Sequence, residues 1–287
     1  MKPAKQQWTR SAVLGLLAVS ALCLTGQAQS QATYPSAASA AEAFVSAIAT
    51  GDDDKLKQVL GADFRRYVPS DTLSQDDIYT FLAAWAKHHE IVTAGPTSAA
   101  LIVGEHGWSF PAPLVKNPRG WHFDVRQGAR EMQHRRIDRN ESAAIETLQA
   151  LCKAQEQYQS SVGKGMPAQR IVSREGLYDG LYWPPETQAP VPSPLSDDAL
   201  VMGTAVPADA ALHGYRYAIL PSADRTGCAF AAWPATYGIS GRYSFAIGSR
   251  GKVIERDYGR QSVSADYARI GQHPGSEWSE ALLQDSR

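Results

Sequence analysis

The chain has 287 residues, of which 20% are charged, and its formal net charge at pH 7 is −1. This near-neutral balance argues against the strongly basic composition of a nucleic-acid-binding domain. The length exceeds that of one typical domain, so we expect two.

Residues 1–28 have the pattern of a secretory signal peptide. Three basic residues and no acidic one precede an uncharged apolar run at 12–24, and small or polar residues follow up to Ala28. The apolar run is shorter than the roughly 20 residues of a membrane-spanning helix. We therefore expect cleavage near Ala28, a periplasmic or extracellular protein and no membrane span after cleavage; an uncleaved anchor is the alternative.

Residues 39–138 are predicted to form a cone-like domain of helices and a curved antiparallel sheet, after a flexible lead at 29–38. Capping and glycine signals predict three helices, which begin at Ser39, Asp52 and Ser74. Extended runs separated by turns follow at 99–104, 108–116 and 121–124. This order is typical of an antiparallel meander, which would cover the third helix.

Residues 139–287 are predicted to form a second domain, in which a long helix packs on an antiparallel sheet. The helical pattern runs from Gln127 to Tyr158, with a highly charged first half and an apolar stripe in its second half, and the domain boundary is placed near Asp138. A Gly- and Pro-rich connection follows, and then strand patterns around Tyr215, Phe230 and Phe245, a hairpin strand at 252–257 and a short helix at 264–270. The predicted fold class is therefore α+β.

Two cysteines remain after the predicted cleavage, Cys152 and Cys228. Thiols outside the cytoplasm tend to be oxidised, which favours one disulfide between them. Two buried free thiols are equally compatible with the sequence.

Several segments of the second half resemble a known fold. They are Asn140-Glu141-Ser142-Ala143-Ala144-Ile145, His213-Gly214-Tyr215-Arg216-Tyr217, Ala232-Trp233-Pro234 and Tyr237-Gly238. They are similar to the globular region of type IV pilins and type II secretion pseudopilins, and this resemblance implies a long helix packed on an antiparallel sheet. The chain departs from pilins at Arg135, Arg136 and Arg139, where a pilin has the apolar stem that anchors and polymerises it.

A second resemblance covers the chain from about Ala40 to its C-terminus. Its motifs are Gly107-Trp108-Ser109-Phe110-Pro111, Gly120-Trp121-His122-Phe123-Asp124 and Gly180-Leu181-Tyr182-Trp183-Pro184. They resemble the pattern of a family of secreted bacterial proteins known as domain of unknown function 2950. That resemblance implies secretion but no particular activity.

His122 and Asp124 are the weak candidates for a catalytic pair. They alternate along the last predicted strand of the cone and therefore share one face of it. An imidazole and a carboxylate in a pocket can transfer protons. The alternative is that this polar face is simply solvated.

Two surface segments are candidates for binding. The first contains Tyr178, Asp179, Tyr182 and Trp183 beside several prolines, a composition that can bind extended chains or sugars, unless the aromatic rings simply pack over the sheet. The second is the basic run from Arg126 to Arg139, which could hold an acidic partner or glycan. Glu131, Asp138 and Glu141 are interleaved with it at helical spacing, so local ion pairs are the alternative.

The sequence lacks the usual signatures of nucleophilic and metal-dependent enzymes, such as Gly-x-Ser-x-Gly, His-Glu-x-x-His and Cys-x-x-Cys. We therefore expect a non-catalytic binding or assembly protein of the bacterial envelope that uses no metal or cofactor. Its expected partner is an envelope protein, a secreted protein or a glycan, and not a nucleic acid. The alternative is a periplasmic lyase or hydrolase that uses a pocket in the first domain.

Overall fold

The computed structural model of the chain describes residues 31–67, 74–204, 206–207, 210–221, 227–260 and 277–281. Helices and two antiparallel sheets make this part of the chain α+β, as predicted. The predicted signal peptide at 1–28 and the predicted helix at 264–270 lie outside these residues. None of the described helices combines the length and apolarity that crossing a membrane requires.

The described residues of the first half form four helices and five strands. The helices are α1 (Ala37–Ala49), α2 (Asp53–Leu60), α3 (Phe64–Tyr67) and α4 (Gln75–Lys87). The strands are β1 (His89–Gly95), β2 (Ser98–Val103), β3 (Trp108–Ser109), β4 (Leu114–Asn117) and β5 (Gly120–Phe123). They form an antiparallel sheet in the order β1-β2-β4-β5, with β3 beside β2. The sequence did not predict β1, and the single run predicted at 108–116 is divided into β3 and β4.

Side-chain caps fix where the first helices begin. The Ser36 hydroxyl accepts a hydrogen bond from the Ser39 N–H, so α1 begins before the predicted Ser39. Asp52 caps α2 in the same way. The predicted start of α4 is confirmed, because Ser74 and Asp77 form a reciprocal capping box.

The lead predicted to be flexible at 29–38 contacts α2 and β5 through its described residues, and its flexibility stays a prediction. The Gln31 side-chain amide donates to the carbonyls of Val59, at 2.9 Å, and Phe123, at 2.8 Å. Tyr34 pairs with Trp121 in an isolated antiparallel bridge. These bonds join the lead to the edge of β5 and satisfy backbone groups that would otherwise require water.

Aromatic rings fill the space between α1 and the first sheet. The Phe44 ring lies 4.8 Å from that of Phe110 and 5.2 Å from that of Phe123, measured between centroids. Leu101 and Leu114 are completely buried in the same core. α4 is less well covered, since its Phe81 and Trp85 side chains reach this core but remain half-exposed.

A single helix, α5 (Val125–Ser160), connects the first sheet to the second. Its 36 residues extend for about 54 Å at the usual rise per residue. Ile145 and Leu148 are buried in the core of the second sheet, as the apolar stripe predicted. The division into domains near Asp138 stays a prediction, because α5 passes through this point without interruption.

The second sheet has five described antiparallel strands in the order β10-β9-β8-β7-β6. They are β6 (Tyr215–Ile219), β7 (Phe230–Pro234), β8 (Tyr243–Ile247), β9 (Val253–Asp257) and β10 (Ser279–Glu280). The first four confirm the predicted strands. The described part of the connection before them includes the short 3₁₀ helices Pro185–Thr187 and Asp197–Met202.

Candidate functional site

An open cleft lies between α3 and the first half of α5. Its volume is about 450 Å³, within the usual range of ligand sites. Its lining residues, which we call the basic cleft, are Tyr67, Arg126, Ala129, Arg130, Gln133 and His134.

Helix geometry explains why these residues share one surface. Five of them come from α5, and four of these follow Arg126 at offsets of three, four, seven and eight, which is one face of an α-helix. The neighbouring face is held against the segment between β3 and β4 at Gly128, where an added Cβ would lie only 2.7 Å from the Cβ of Ala112. This close approach leaves the arginine-bearing face turned towards α3 and solvent.

The cations of the cleft lack partners within the described part of the chain. Arg126, Arg130 and His134 are exposed, and none of their side chains makes a hydrogen bond or ion pair with another described residue. Arg135 differs, because its Nε lies 2.8 Å from Glu131 Oε1 and its Nη1 donates to the Ser109 carbonyl. The predicted ion pairs along the basic run are therefore realised at Arg135 but not inside the cleft.

Of the three acidic residues predicted to neutralise the run, Glu131 pairs with Arg135, and the other two do not pair with the run. Glu141 Oε1 accepts hydrogen bonds from the backbone N–H groups of Arg242, at 2.7 Å, and Tyr243, at 3.2 Å. Asp138 makes no ion pair with a described residue. Within the described residues, the cleft therefore keeps its positive charge, which makes it a candidate site for an acidic ligand.

A second cavity, of about 260 Å³, is acidic. Its lining residues are Asp138, Glu141, Ser142, Ile145, Tyr243, Phe245, Glu255 and Glu280. Burial raises the pKa of the Glu141 carboxyl, although its two backbone donors oppose the shift. Burial, and then the charge of Glu141, also raise the pKa of Glu255. Because these carboxylates would repel an anion, the basic cleft is the candidate site for an acidic ligand.

The predicted catalytic residues do not form a hydrogen-bonded pair. β5 ends at Phe123, and Asp124 is the N-cap of α5, where its Oδ1 accepts a hydrogen bond from the Gln127 N–H at 2.9 Å. The His122 Nδ1 lies 3.4 Å from the Asn117 amide nitrogen. The prediction that Asp124 shares a strand face with His122 is therefore wrong, because Asp124 begins the next helix. Among the described residues, no three His, Cys, Asp or Glu side chains are grouped as metal ligands.

The structure also corrects the predicted aromatic binding segment. Tyr182 is 6% exposed and Trp183 is 3% exposed, so both are core residues and present little surface to a ligand. Tyr178 is exposed, and its ring packs edge-on against Trp183. The Asp179 carboxylate accepts hydrogen bonds from Arg174, which orders the turn. Packing of the aromatics, the predicted alternative, describes the segment better.

The two predicted disulfide partners lie together. The sulfur atoms of Cys152 on α5 and Cys228, just before β7, are within bonding distance, and their Cα atoms are 4.8 Å apart. Disulfides commonly span this Cα separation.

One family model, described as protein of unknown function (DUF2950), matches residues 31–281. The chain belongs to this family. No curated protein and no solved structure matches it. The match covers both sheets and the whole of α5, so the basic cleft of this DUF2950 protein lies inside the family region.

The sequence predicted the basic run of this DUF2950 protein as a candidate binding site, but it did not separate the residues that line the cleft from those that do not. The spacing of four residues between Arg126, Arg130 and His134 could have separated them from Arg135, which points to another side of the helix. The sequence did not predict that Gln133 lines the basic cleft or that Glu255 lines the acidic cavity. No local pattern in the sequence indicates either, because each depends on how α5 lies against another element.

Proposed function

We propose that this DUF2950 protein is a secreted, non-catalytic binding protein of the bacterial envelope that holds an acidic partner in the basic cleft. The observation that carries the proposal is the row of Arg126, Arg130 and His134, which has no carboxylate partner in the described chain. The signal-peptide pattern of residues 1–28 supports a periplasmic or extracellular location.

Unpaired arginines suit the recognition of acidic groups. A guanidinium presents its donors in a rigid fork that matches a carboxylate or phosphate with two parallel hydrogen bonds. A hydrogen bond to a charged group contributes about 1.5–3 kcal/mol. Since about 1.4 kcal/mol corresponds to a tenfold change in affinity, removal of both arginines is expected to weaken binding at least tenfold.

In the proposed function, the second half of the chain is a pilin-like module that lacks the polymerising stem and has a supporting role. The supporting observation is the packing of Ile145 and Leu148 of a 36-residue helix on an antiparallel sheet. In the proposed role, this module contacts other envelope or secreted components while the cleft stays accessible.

The alternative, a lyase or hydrolase acting through His122 and Asp124, receives no support from the geometry. A general acid or base must reach the proton it transfers, and it is commonly oriented by a hydrogen bond to a partner. The Asp124 carboxylate is engaged by the backbone of α5 instead.

The test is binding of labelled acidic polymers, polygalacturonate and poly-L-glutamate, with poly-L-lysine as the basic counterpart. The double variant Arg126→Gln/Arg130→Gln is expected to lose at least tenfold in affinity for the acidic polymer that wild type binds. The matched control is Arg139→Gln/Arg250→Gln, which removes the same charge from exposed positions outside the cleft. Equal losses in the two double variants would refute the site, and absence of binding to both acidic polymers would refute the function.

A further inference from the structure

The lining of the basic cleft restricts which acidic ligand it accepts. Resting on the proposed function, we infer that the ligand is an acidic polysaccharide whose sugar rings carry carboxylate groups. The chain lies along α5, with its carboxylates on the cationic row and one sugar face against the Tyr67 ring.

The length of the cationic row favours a polymer over a single anion. Residues four apart on a helix are separated by about 6 Å along its axis, so Arg126 and His134 are about 12 Å apart. One carboxylate or one phosphate cannot contact both ends of such a row. A ligand that uses all three cations must repeat its negative groups along an extended chain.

The chemistry of the lining favours sugars over an acidic peptide. Arginine has five N–H donors and no acceptor, and the backbone groups of α5 in this stretch are used inside the helix. An extended peptide brings a backbone N–H at each non-proline residue, and these would find few acceptors on the helix wall. Ring oxygens, hydroxyl oxygens and carboxylates of a sugar chain accept hydrogen bonds, which the arginines can donate, whereas the Gln133 amide already donates to the carbonyls of Gly238 and Ile239.

Tyr67 supplies the wall opposite the cations. It is half-buried at the end of α3 and comes from a different element than the other lining residues. An aromatic ring with a polar tip offers an apolar face and a hydroxyl together. The apolar C–H face of a sugar ring packs on such a surface, whereas a flexible acidic side chain gains little from it.

The size and openness of the cleft predict that affinity depends on the length of the sugar chain. A volume of about 450 Å³ encloses a few sugar rings but not a long polymer. The remainder of the chain continues into solvent. Affinity for oligogalacturonates is therefore expected to rise with each added unit until the oligomer spans the row from Arg126 to His134, and then to level off.

The experiment measures, by calorimetry on the full chain, binding of oligogalacturonates of increasing length, neutral oligogalactose, poly-L-glutamate and inorganic polyphosphate. We expect oligogalacturonate to bind at least tenfold more tightly than the neutral oligomer and than poly-L-glutamate of equal charge. Tyr67→Leu is expected to lose at least fivefold for oligogalacturonate, whereas Tyr67→Phe, which keeps the ring, loses less than twofold. Urea unfolding of both variants checks that the fold is intact.

The outcomes separate this inference from the proposed function. If poly-L-glutamate or polyphosphate binds as tightly as oligogalacturonate, in a manner that depends on Arg126 and Arg130, the polysaccharide is wrong while the basic cleft remains a binding site. If Tyr67→Leu folds and binds oligogalacturonate as wild type does, the placement of the sugar on Tyr67 is wrong. If no acidic probe binds, both the inference and the proposed function fail.

Discussion

Replacement of Leu148 by alanine tests the packing on which the second half depends. Leu148 is completely buried between α5 and the second sheet, among the large side chains of Tyr215, Phe230 and Phe245. Alanine favours the helix at least as well as leucine, so the variant loses packing and not helix propensity. Leucine-to-alanine changes in cores cost about 2–5 kcal/mol, and the rigid neighbours leave a cavity that cannot collapse easily. We expect a loss of about 3–4 kcal/mol in the free energy of unfolding.

The assay is urea unfolding followed by circular dichroism and tyrosine and tryptophan fluorescence. Leu177→Ala is the matched control, because it makes the same chemical change at an exposed position, and it should cost less than about 1 kcal/mol. Leu101→Ala makes the same leucine-to-alanine change in the core that the first sheet forms with α1. If the halves unfold separately, Leu101→Ala and Leu148→Ala will shift different transitions.

Two results would refute this reasoning. A loss for Leu148→Ala no greater than that for Leu177→Ala would mean that this face of α5 does not pack on the sheet. A single transition, shifted by Leu101→Ala and Leu148→Ala alike, would instead contradict the division into two domains near Asp138.

Two further predictions concern the joint between α5 and the second sheet. Because burial raises the folded-state pKa of Glu141, this group favours folding most below its unfolded pKa, and the contribution is lost as pH rises through the folded pKa. Glu141→Gln does not titrate, so its unfolding free energy in urea should increase relative to wild type as pH rises above the ordinary carboxyl pKa of 4.5. For the cysteines, peptide mapping without reduction should recover Cys152 linked to Cys228, and Cys152→Ser/Cys228→Ser should lower stability by about 2–4 kcal/mol, since a bond across 76 residues restricts the unfolded chain.

Each of these predictions has a clear contrary result. A constant difference in unfolding free energy between Glu141→Gln and wild type at all pH values would show that the carboxyl pKa is not raised by folding. Recovery of the Cys152 and Cys228 peptides separately, each carrying an alkylating label, would show two free thiols. Glu146→Gln, an exposed change on the same helix, is the control for the pH experiment.

Local signals located most elements accurately. Asp52 and Ser74 cap helices as predicted, because a cap is a contact between residues three apart. The alternation around Tyr215 and Phe245 correctly predicted strands, although β8 is buried on both faces. The strand β1 was missed because it follows α4 directly, so that no turn residue separates the two patterns.

Predictions of individual roles were less successful, because they depend on contacts distant in sequence. Asp124 was expected on a strand, but the strand ends one residue earlier and the carboxylate caps α5. Trp183 was expected on the surface, but the second core encloses it. An aspartate can occupy a strand or cap a helix, and a tryptophan can lie on the surface or in the core. Which of these occurs depends on where the chain turns relative to the sheet.

The amino-acid sequence by itself determined the α+β class, the length of α5 and the positions of the charges along it, since periodicity and capping act over a few residues. The tertiary structure decided which of those charges are neutralised. Glu131 reaches Arg135, and Glu141 turns to the backbone of β8, so Arg126 and Arg130 remain unpaired in the described chain. The physical reason is that ion pairing requires atoms within a few ångströms, a separation that the packing of α5 on its neighbours sets.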